Sequence, residues 1–369
     1  MGDPRFEQAP AIWHGLGWAL RTPQASPRNR LALALRMAWG LVRHPVALRR
    51  WMAVAWEMHS RGLLGDLPTE FLRAVRPYVH RGLSVQDRAV ALTDHVDWLA
   101  TALAPVALKQ LGAGQPVVLA SLAAPRGYEA MRLQLQRAPA HSPEGELRLT
   151  LTLQREARVQ LSQPVDVAVL GFSCFRVQGR SCLVIGGVRG QRHPSQRLSP
   201  QEVTQALSGW KAPVLMVRVA QELAQYWGLH LIGLDPAWHP LHGPLQRLSG
   251  RNRDTARRIS EAHTTLWTHF AAQRGPAGWM LLPPHSDDRL EATALSPEKR
   301  ARQIQRADYW IRTANLLRNE FRGVLLRPDP HARDARVTDH QTLQGMLSGY
   351  DDSRYAASSV LESVPGSIL

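Results

Sequence analysis

Near residue 113 the hydrophobic period of this chain changes, and that change limits the possible folds more than any composition figure does. From about residue 31 to 110 apolar residues recur at the spacing of a helical face. Beyond it, "PVVLASL" (116–122), "GELRLTLTLQ" (145–154), "VDVAVLGFSCFRV" (165–177) and "RSCLVIGGVRG" (180–190) read as successive strands. In the second of these, Leu147, Leu149, Leu151 and Leu153 point one way and Arg148, Thr150 and Thr152 the other. "QGR" (178–180) between the last two is a hairpin turn. The pattern predicts an α/β (α+β) fold, a mainly antiparallel sheet flanked by helices, with a helical N-terminal region.

The stretch "RVAQELAQYWGLHLIGLDPAWHP" (218–240) then ends the meander. It reads as a helix from about Pro213 to Trp227, a stop at Gly228, a short buried strand at 229–234 and a polar corner. Ahead of it, "LSPQEVTQALSGW" (198–210) offers Ser199 as N-cap, Pro200 at the first helical position, Glu202 at the capping-box position and Gly209 as a stop. A strand entered through a helix after a meander is expected parallel to the strand before it. Segments 181–188 and 229–234 should therefore run side by side. A helix N-terminus and free backbone amides facing the gap between them suit a pyrophosphate.

Organisation along the chain follows composition. Residues 1–30, rich in Pro, Gly and Arg, are expected to be flexible; 31–112 are helical, 113–324 form the α/β domain, and 325–369 form a mostly disordered tail. Within 61–103 two amphipathic helices are expected, one opened by Asp66 or Pro68, the other by Ser84 with Asp87 three residues on. Segments 251–273 and 296–322 are helical, separated by the apolar strand "GWMLLP" (278–283).

Charge narrows the partners. The formal net charge is +15, and because only Lys109, Lys211 and Lys299 are lysines, 42 of the 45 basic residues are arginine. Such a surface attracts phosphate groups on nucleic acid, lipid or a cofactor; the lack of any recognised nucleic-acid module argues against the first. "LALALRMAWGLVRHPVALRRWMAVAWEM" (31–58) has no run of 18 apolar residues and should not span a bilayer. Its spacing fits an amphipathic helix pair with Trp39, Trp51 and Trp56 available to an interface. Two readings stay open: the pair lies on an anionic membrane surface, or it packs on the rest of the protein. With no signal peptide recognised, the expected location is cytoplasmic, peripheral at the inner membrane. Cys174 and Cys182, in neighbouring strands, read as buried free thiols.

Several residues are candidates for chemistry. Lys211 beside Gly209, and Arg189 at the end of the 181–188 strand, are placed for a phosphate group. Gly186, Gly187 and Gly190 would let a backbone approach a ligand closely. His239 follows the parallel strand at its carboxyl edge, where ligands of open sheets sit, and is the candidate general base. Glu146 is assigned to a solvated sheet face and His230 to packing. No zinc spacing, nucleophile elbow or phosphate-binding Gly-rich motif occurs, so no metal is expected.

The element order resembles the GNAT acyltransferase fold, in which acyl-coenzyme A binds in the gap between the parallel strands. The usual Gln/Arg-x-x-Gly-x-Gly/Ala signature of that fold is absent, and "VRGQRHPSQRL" (188–198) with an extra helix occupies its position. At family level the chain resembles the VirK/YbjX proteins of Gram-negative bacteria. The resemblance rests on "YVHRGLSVQDRAVALTDH" (78–95), "EGELRLTL" (144–151), "CLVIGGVRGQ" (182–191), "LAQYWGLHLIGL" (223–234), His239, "LP" (282–283) and "SPEKRARQIQRADYWIRTANLLR" (296–318). It covers roughly residues 60–320, and "HTTLWTHF" (263–270) keeps only Trp267 of the family's aromatic run. It implies an envelope-related role, linked in members to virulence, to surface display of a membrane protein and to resistance against antimicrobial peptides.

Two functions are therefore expected. One is acyl transfer from acyl-coenzyme A or another thioester to an amine or hydroxyl of an envelope component, peptide or protein. The other is non-catalytic binding of anionic lipid or a protein partner through the Arg/Trp-rich surface.

Overall fold

The structure, a computed structural model, describes residues 9–22, 26–124, 128–139, 141–155, 164–190, 200–242, 250–283 and 296–325. Ser199, residues 191–198 and residues 326–369 lie outside the described residues.

Capping residues set the N-terminal helices. Within the stretch expected to be flexible, helix α1 spans His14–Arg21 and buries Gly15 and Ala19. Helix α2 (Pro27–Arg43) opens on Ser26, whose hydroxyl accepts from the Asn29 amide. Pro45 starts α3 (Pro45–Ser60) after a break at His44. Asp66 caps α4 (Leu67–Phe71), which runs into a 3₁₀ turn at Leu72–Val75. The expected longer helix ends there because Pro77 drives Arg76 out of the helical region, to φ −90° and ψ 160°. Ser84 and Asp87 form a complete capping box on α5 (Val85–Ala102), and α6 (Pro105–Gly112) leads into the sheet.

The sheet has the order β1-β2-β3-β4-β5-β6-β8-β7. Its strands are β1 (Val117–Leu122), β2 (Tyr128–Arg137), β3 (Leu147–Arg155), β4 (Val165–Val177), β5 (Arg180–Gly190), β6 (His230–Leu234), β7 (Gln273–Arg274) and β8 (Trp279–Leu281). Every neighbouring pair is antiparallel except β5 and β6. These two run parallel through Cys182–His230, Leu183–Leu231 and Val184–Ile232, as the helix-then-strand pattern requires. Gln178 and Gly179, both at positive φ (53° and 78°), make the two-residue turn between β4 and β5. Strand β2 was not anticipated, although Met131, Leu133 and Leu135 alternate with Arg132, Gln134 and Gln136 along it.

The crossover consists of α7 (Pro200–Ala206) and α8 (Ala212–Trp227). Helix α8 is buried almost all round, as a helix in the middle of a molecule must be, and takes Arg218, Gln221 and Glu222 inside with its apolar residues. It stops at Gly228, which takes the left-handed conformation at φ 66°. Helices α9 (Gly250–His269) and α10 (Pro297–Val324) complete the described residues.

Two cores sandwich the central strands. Leu183, Ile185 and Val188 of β5 pack with α8, α9 and α10 on one face. Cys182 and Val184 join Ile232, Leu234 and the helices α1–α5 on the other. Phe175 pairs with Cys182 while Cys174 pairs with Leu183, so the two thiols point to opposite faces; both are free and buried.

Candidate functional site at the open end of the parallel pair

Strands β5 and β6 pair over only three registers and part after Val184 and Ile232. The gap that opens there was expected to be an amide-lined slot. It is filled by side chains of α9. A Cβ on Gly233 would lie 2.6 Å from the Trp267 ring, and the Trp267 indole N–H donates to the Leu234 carbonyl at 2.8 Å. The Val188 amide, which would have lined the slot, donates to Nε2 of His263 at 3.4 Å. Strand groups left without a partner at a splay have to be satisfied somehow, and here helix α9 supplies the partners.

The glycines were expected to admit a ligand. They admit the chain itself. Gly186 is the extra residue of a bulge, since Gly171 pairs with Gly187 and Phe172 with Ile185. A Cβ at Gly186 would meet the Glu144 carbonyl at 2.4 Å, and one at Gly187 would meet the Glu144 carboxyl carbon at 2.5 Å. Gly145, at φ 129°, lets segment 144–146 cross this close over Phe172. Only Gly190 faces open space.

The two expected phosphate ligands are separated by the sheet. Val188 faces the core under α8, so its neighbours Gly187 and Arg189 point to the opposite face, where Arg189 pairs with Glu144 at 2.6 Å. Lys211 is the exposed N-cap residue of α8 and makes no capping bond.

His239 stands where expected, in the corner after β6, but it is wholly buried. Its Nδ1 accepts from the Leu241 amide at 3.3 Å, and its Nε2 has no partner among the described residues. Burial, then the nearby His263 and His242, push its pKa down to about 3. His263, with ring centroid 6.1 Å away, is lowered to about 4 by burial alone. Both rings are neutral at pH 7, and a base with so acidic a conjugate acid has little driving force for taking a proton.

Glu146 is not on a solvated face. It is buried and holds Arg73 at 2.7 Å; Arg73 also meets Glu70 at 2.8 Å and donates to the Ala138 carbonyl at 3.2 Å. Burial alone would lower the Arg73 pKa, but the pull of Glu146 and Glu70 outweighs it, so this guanidinium stays charged. Beside it, the Tyr78 hydroxyl donates to Ser173 at 2.8 Å.

These contacts draw together segments that are distant in sequence. The Val79 amide donates to the Pro143 carbonyl at 2.7 Å and the Arg81 amide to the Trp238 carbonyl at 3.0 Å. His80 stacks between Trp238 and Trp279, and Arg81 lies over Trp238. Four of the stretches that carry the family resemblance, around Tyr78, Glu144, Gly186 and His239, therefore meet at one end of the parallel pair. A pocket of ≈ 180 Å³ opens there, lined by Arg73, Arg76, Tyr78, His141, Ser142 and Leu241. Sequence reasoning missed Arg76, His141 and Ser142, which sit on irregular connections and belong to no motif. It also missed His263, although His263 and Trp267 share one face of α9 at spacing i, i+4. Among the described residues no three His, Cys, Asp or Glu side chains stand close enough to share a metal ion.

A second surface stands apart from this pocket. On α2 the large side chains Leu31, Leu35, Trp39 and Val42 form an exposed stripe, with Trp39 64% exposed. Trp13 at the N-cap of α1, Leu20 within α1 and Val46 of α3 are exposed as well. Arg28, Arg43 and Arg50 on the same two helices are also exposed. No described helix is long and apolar enough to cross a membrane.

Comparison with known proteins gives one match. Residues 26–309 match the family described as "Protein of unknown function (DUF535)". No curated protein and no solved structure matches the chain.

Proposed function

The chain belongs to the DUF535 family of proteins of unknown function, and from that premise we propose that it is a peripheral protein of an anionic membrane surface, bound through helix α2. The reading agrees with the envelope-related role that the VirK/YbjX resemblance implies. The observation that carries it is the exposed stripe Leu31, Leu35, Trp39 and Val42, with Arg28, Arg43 and Arg50 on the same pair of helices. Apolar side chains that leave water for the acyl boundary and cations that meet lipid phosphates act in the same direction. Each basic residue near such a surface contributes about 1 kcal/mol, and a buried Trp or Leu roughly 1.5–3 kcal/mol.

Co-sedimentation with phosphatidylglycerol vesicles tests this. Wild type is expected to pellet with the vesicles, partly released at high salt, and not to pellet with neutral phosphatidylcholine. Leu35→Glu with Trp39→Glu should abolish pelleting at unchanged Tm, because both residues are exposed. Equal pelleting of the variant, or none by wild type, would rule the reading out.

One observation favours a second reading, acyl transfer on a GNAT-like core. A meander that passes through α8 into the single parallel strand β6 is the order that the fold resemblance requires. Acyl-coenzyme A would then have to enter past Gly190 and the exposed Lys211, displacing Trp267 from the splay. Stabilisation of the protein by acyl-coenzyme A, lost in Lys211→Ala, would support it; indifference to coenzyme A and to its acyl thioesters would remove it.

A further inference from the structure

The pocket between the 76–78 segment and the 141–143 turn contains a charge that no side chain among the described residues pairs with. Arg73 on its inner wall is matched by Glu70 and Glu146. Arg76, three residues further on, is part-buried, and its guanidinium makes no hydrogen bond or ion pair among the described residues. Only its backbone is engaged there, the amide donating to the Arg73 carbonyl at 3.1 Å and the carbonyl accepting from Arg88 at 3.0 Å. A cation held in a half-closed space beside a second cation is disfavoured unless an anion joins it. Burial and the Arg73 charge accordingly lower the Arg76 pKa, with Glu70 opposing them.

The rest of the lining adds donors. His141 and Ser142, from a separate segment, line the same pocket, as does Leu241. The backbone that carries Arg76 is itself under constraint. Val79, three residues on, has φ 41°, a left-handed conformation that a β-branched residue adopts only when its surroundings impose it. Its amide is tied to Pro143, so the two walls of the pocket are fixed to one another.

We propose that this pocket binds a phosphate group, with the Arg76 guanidinium as its principal ligand and His141 and Ser142 as further donors. Donors from two separate segments suit a tetrahedral oxyanion, which accepts hydrogen bonds in several directions, better than a planar carboxylate, for which one fork suffices. The proposal is independent of the lipid-binding role of α2. The phosphate belongs either to a small soluble molecule or to a lipid headgroup, and the test separates the two.

The experiment is thermal melting of the full chain in an amine buffer. Sodium phosphate at 10 mM is compared with sodium chloride at equal ionic strength. Phosphate is expected to raise Tm by about 2 °C or more, by mass action on the folded state. Arg76→Ala and Arg76→Gln should each abolish that rise. Without phosphate the two variants should melt at or above the wild-type Tm, since an unanswered cation has been removed. A wild type that does not respond to phosphate, a rise that survives in both variants, or variants that melt lower without phosphate would overturn the proposal. Vesicles of phosphatidic acid supply the second arm. The vesicle arm is run in the Leu35→Glu, Trp39→Glu background, which removes the α2 contact. If that protein keeps the phosphate response but does not pellet, the ligand is soluble; if it pellets and adding Arg76→Ala abolishes both, the ligand is a lipid headgroup.

Discussion

Helices α2 and α3 come from one continuous Arg/Trp-rich stretch and meet opposite fates. In α3, Trp51 is 1% exposed, its indole N–H donates to the Phe71 carbonyl at 3.2 Å, and Leu48, Met52, Val54, Ala55 and Met58 are buried with it. In α2, Leu33, Met37 and Leu41 are buried, yet Leu31, Leu35, Trp39 and Val42 on another side of the same helix are not. Helix α3 has one apolar face and the protein covers it. Helix α2 has two, and the protein covers one. What separates them is not hydrophobicity but the number of surfaces each helix has to satisfy.

The same contrast divides the ionisable residues, and there the expected effects are largest. His80, His95, His239 and His263 are all buried. Burial is the leading cause in each case and lowers their pKa values to about 4, 3, 3 and 4 from the ordinary 6.5. The unfolded chain takes up protons on these rings as pH falls through 6.5, while the folded one does not until pH 3–4. Stability is therefore full above about pH 6.5 and declines below it, with each ring contributing a loss of about 2 kcal/mol at pH 5. Urea unfolding at pH 7.5 and pH 5 measures this. A midpoint unchanged between the two would mean that the interior is wetter than these contacts imply.

A smaller effect sharpens the helix comparison itself. Trp51→Ala should cost about 3–5 kcal/mol in denaturant unfolding, the usual loss for a large buried aromatic. Trp39→Ala should change stability by no more than about 0.5 kcal/mol, as an uncovered surface residue does. Equal costs at the two positions would break the comparison, because they would mean that Trp39 is covered by the protein after all.

The sequence made the scaffold legible more readily than the site. The Ser84–Asp87 cap, the Gln178–Gly179 turn, the Gly228 stop and the parallel entry of β6 each depend on a few neighbouring residues, so local pattern suffices. Strand β2 escaped because Arg132, Gln134 and Gln136 dilute its apolar positions. The contents of the splay could not be read at all. The groups that fill it, His263 and Trp267, are contributed by a helix that starts after β6 has ended, and nothing near 181–188 announces them. Gly186 and Gly187 correctly signalled a close backbone approach, but a glycine does not say whether the visitor is a ligand or, as here, Glu144. Glu146 misled for a related reason. Its place in the alternation at the start of β3 suggests solvent, whereas Arg73, more than seventy residues earlier, brings it inside.

The most direct test of the central claim, that α2 turns its uncovered stripe toward lipid, is an environment-sensitive fluorophore on Leu35→Cys. Cys174 and Cys182 are buried, so the label goes to the introduced thiol. Adding phosphatidylglycerol vesicles should shift its emission to the blue, while a label at Lys109→Cys on α6, at the far end of the helical region in sequence, should not respond. No shift at position 35, or the same shift at both positions, would contradict the account.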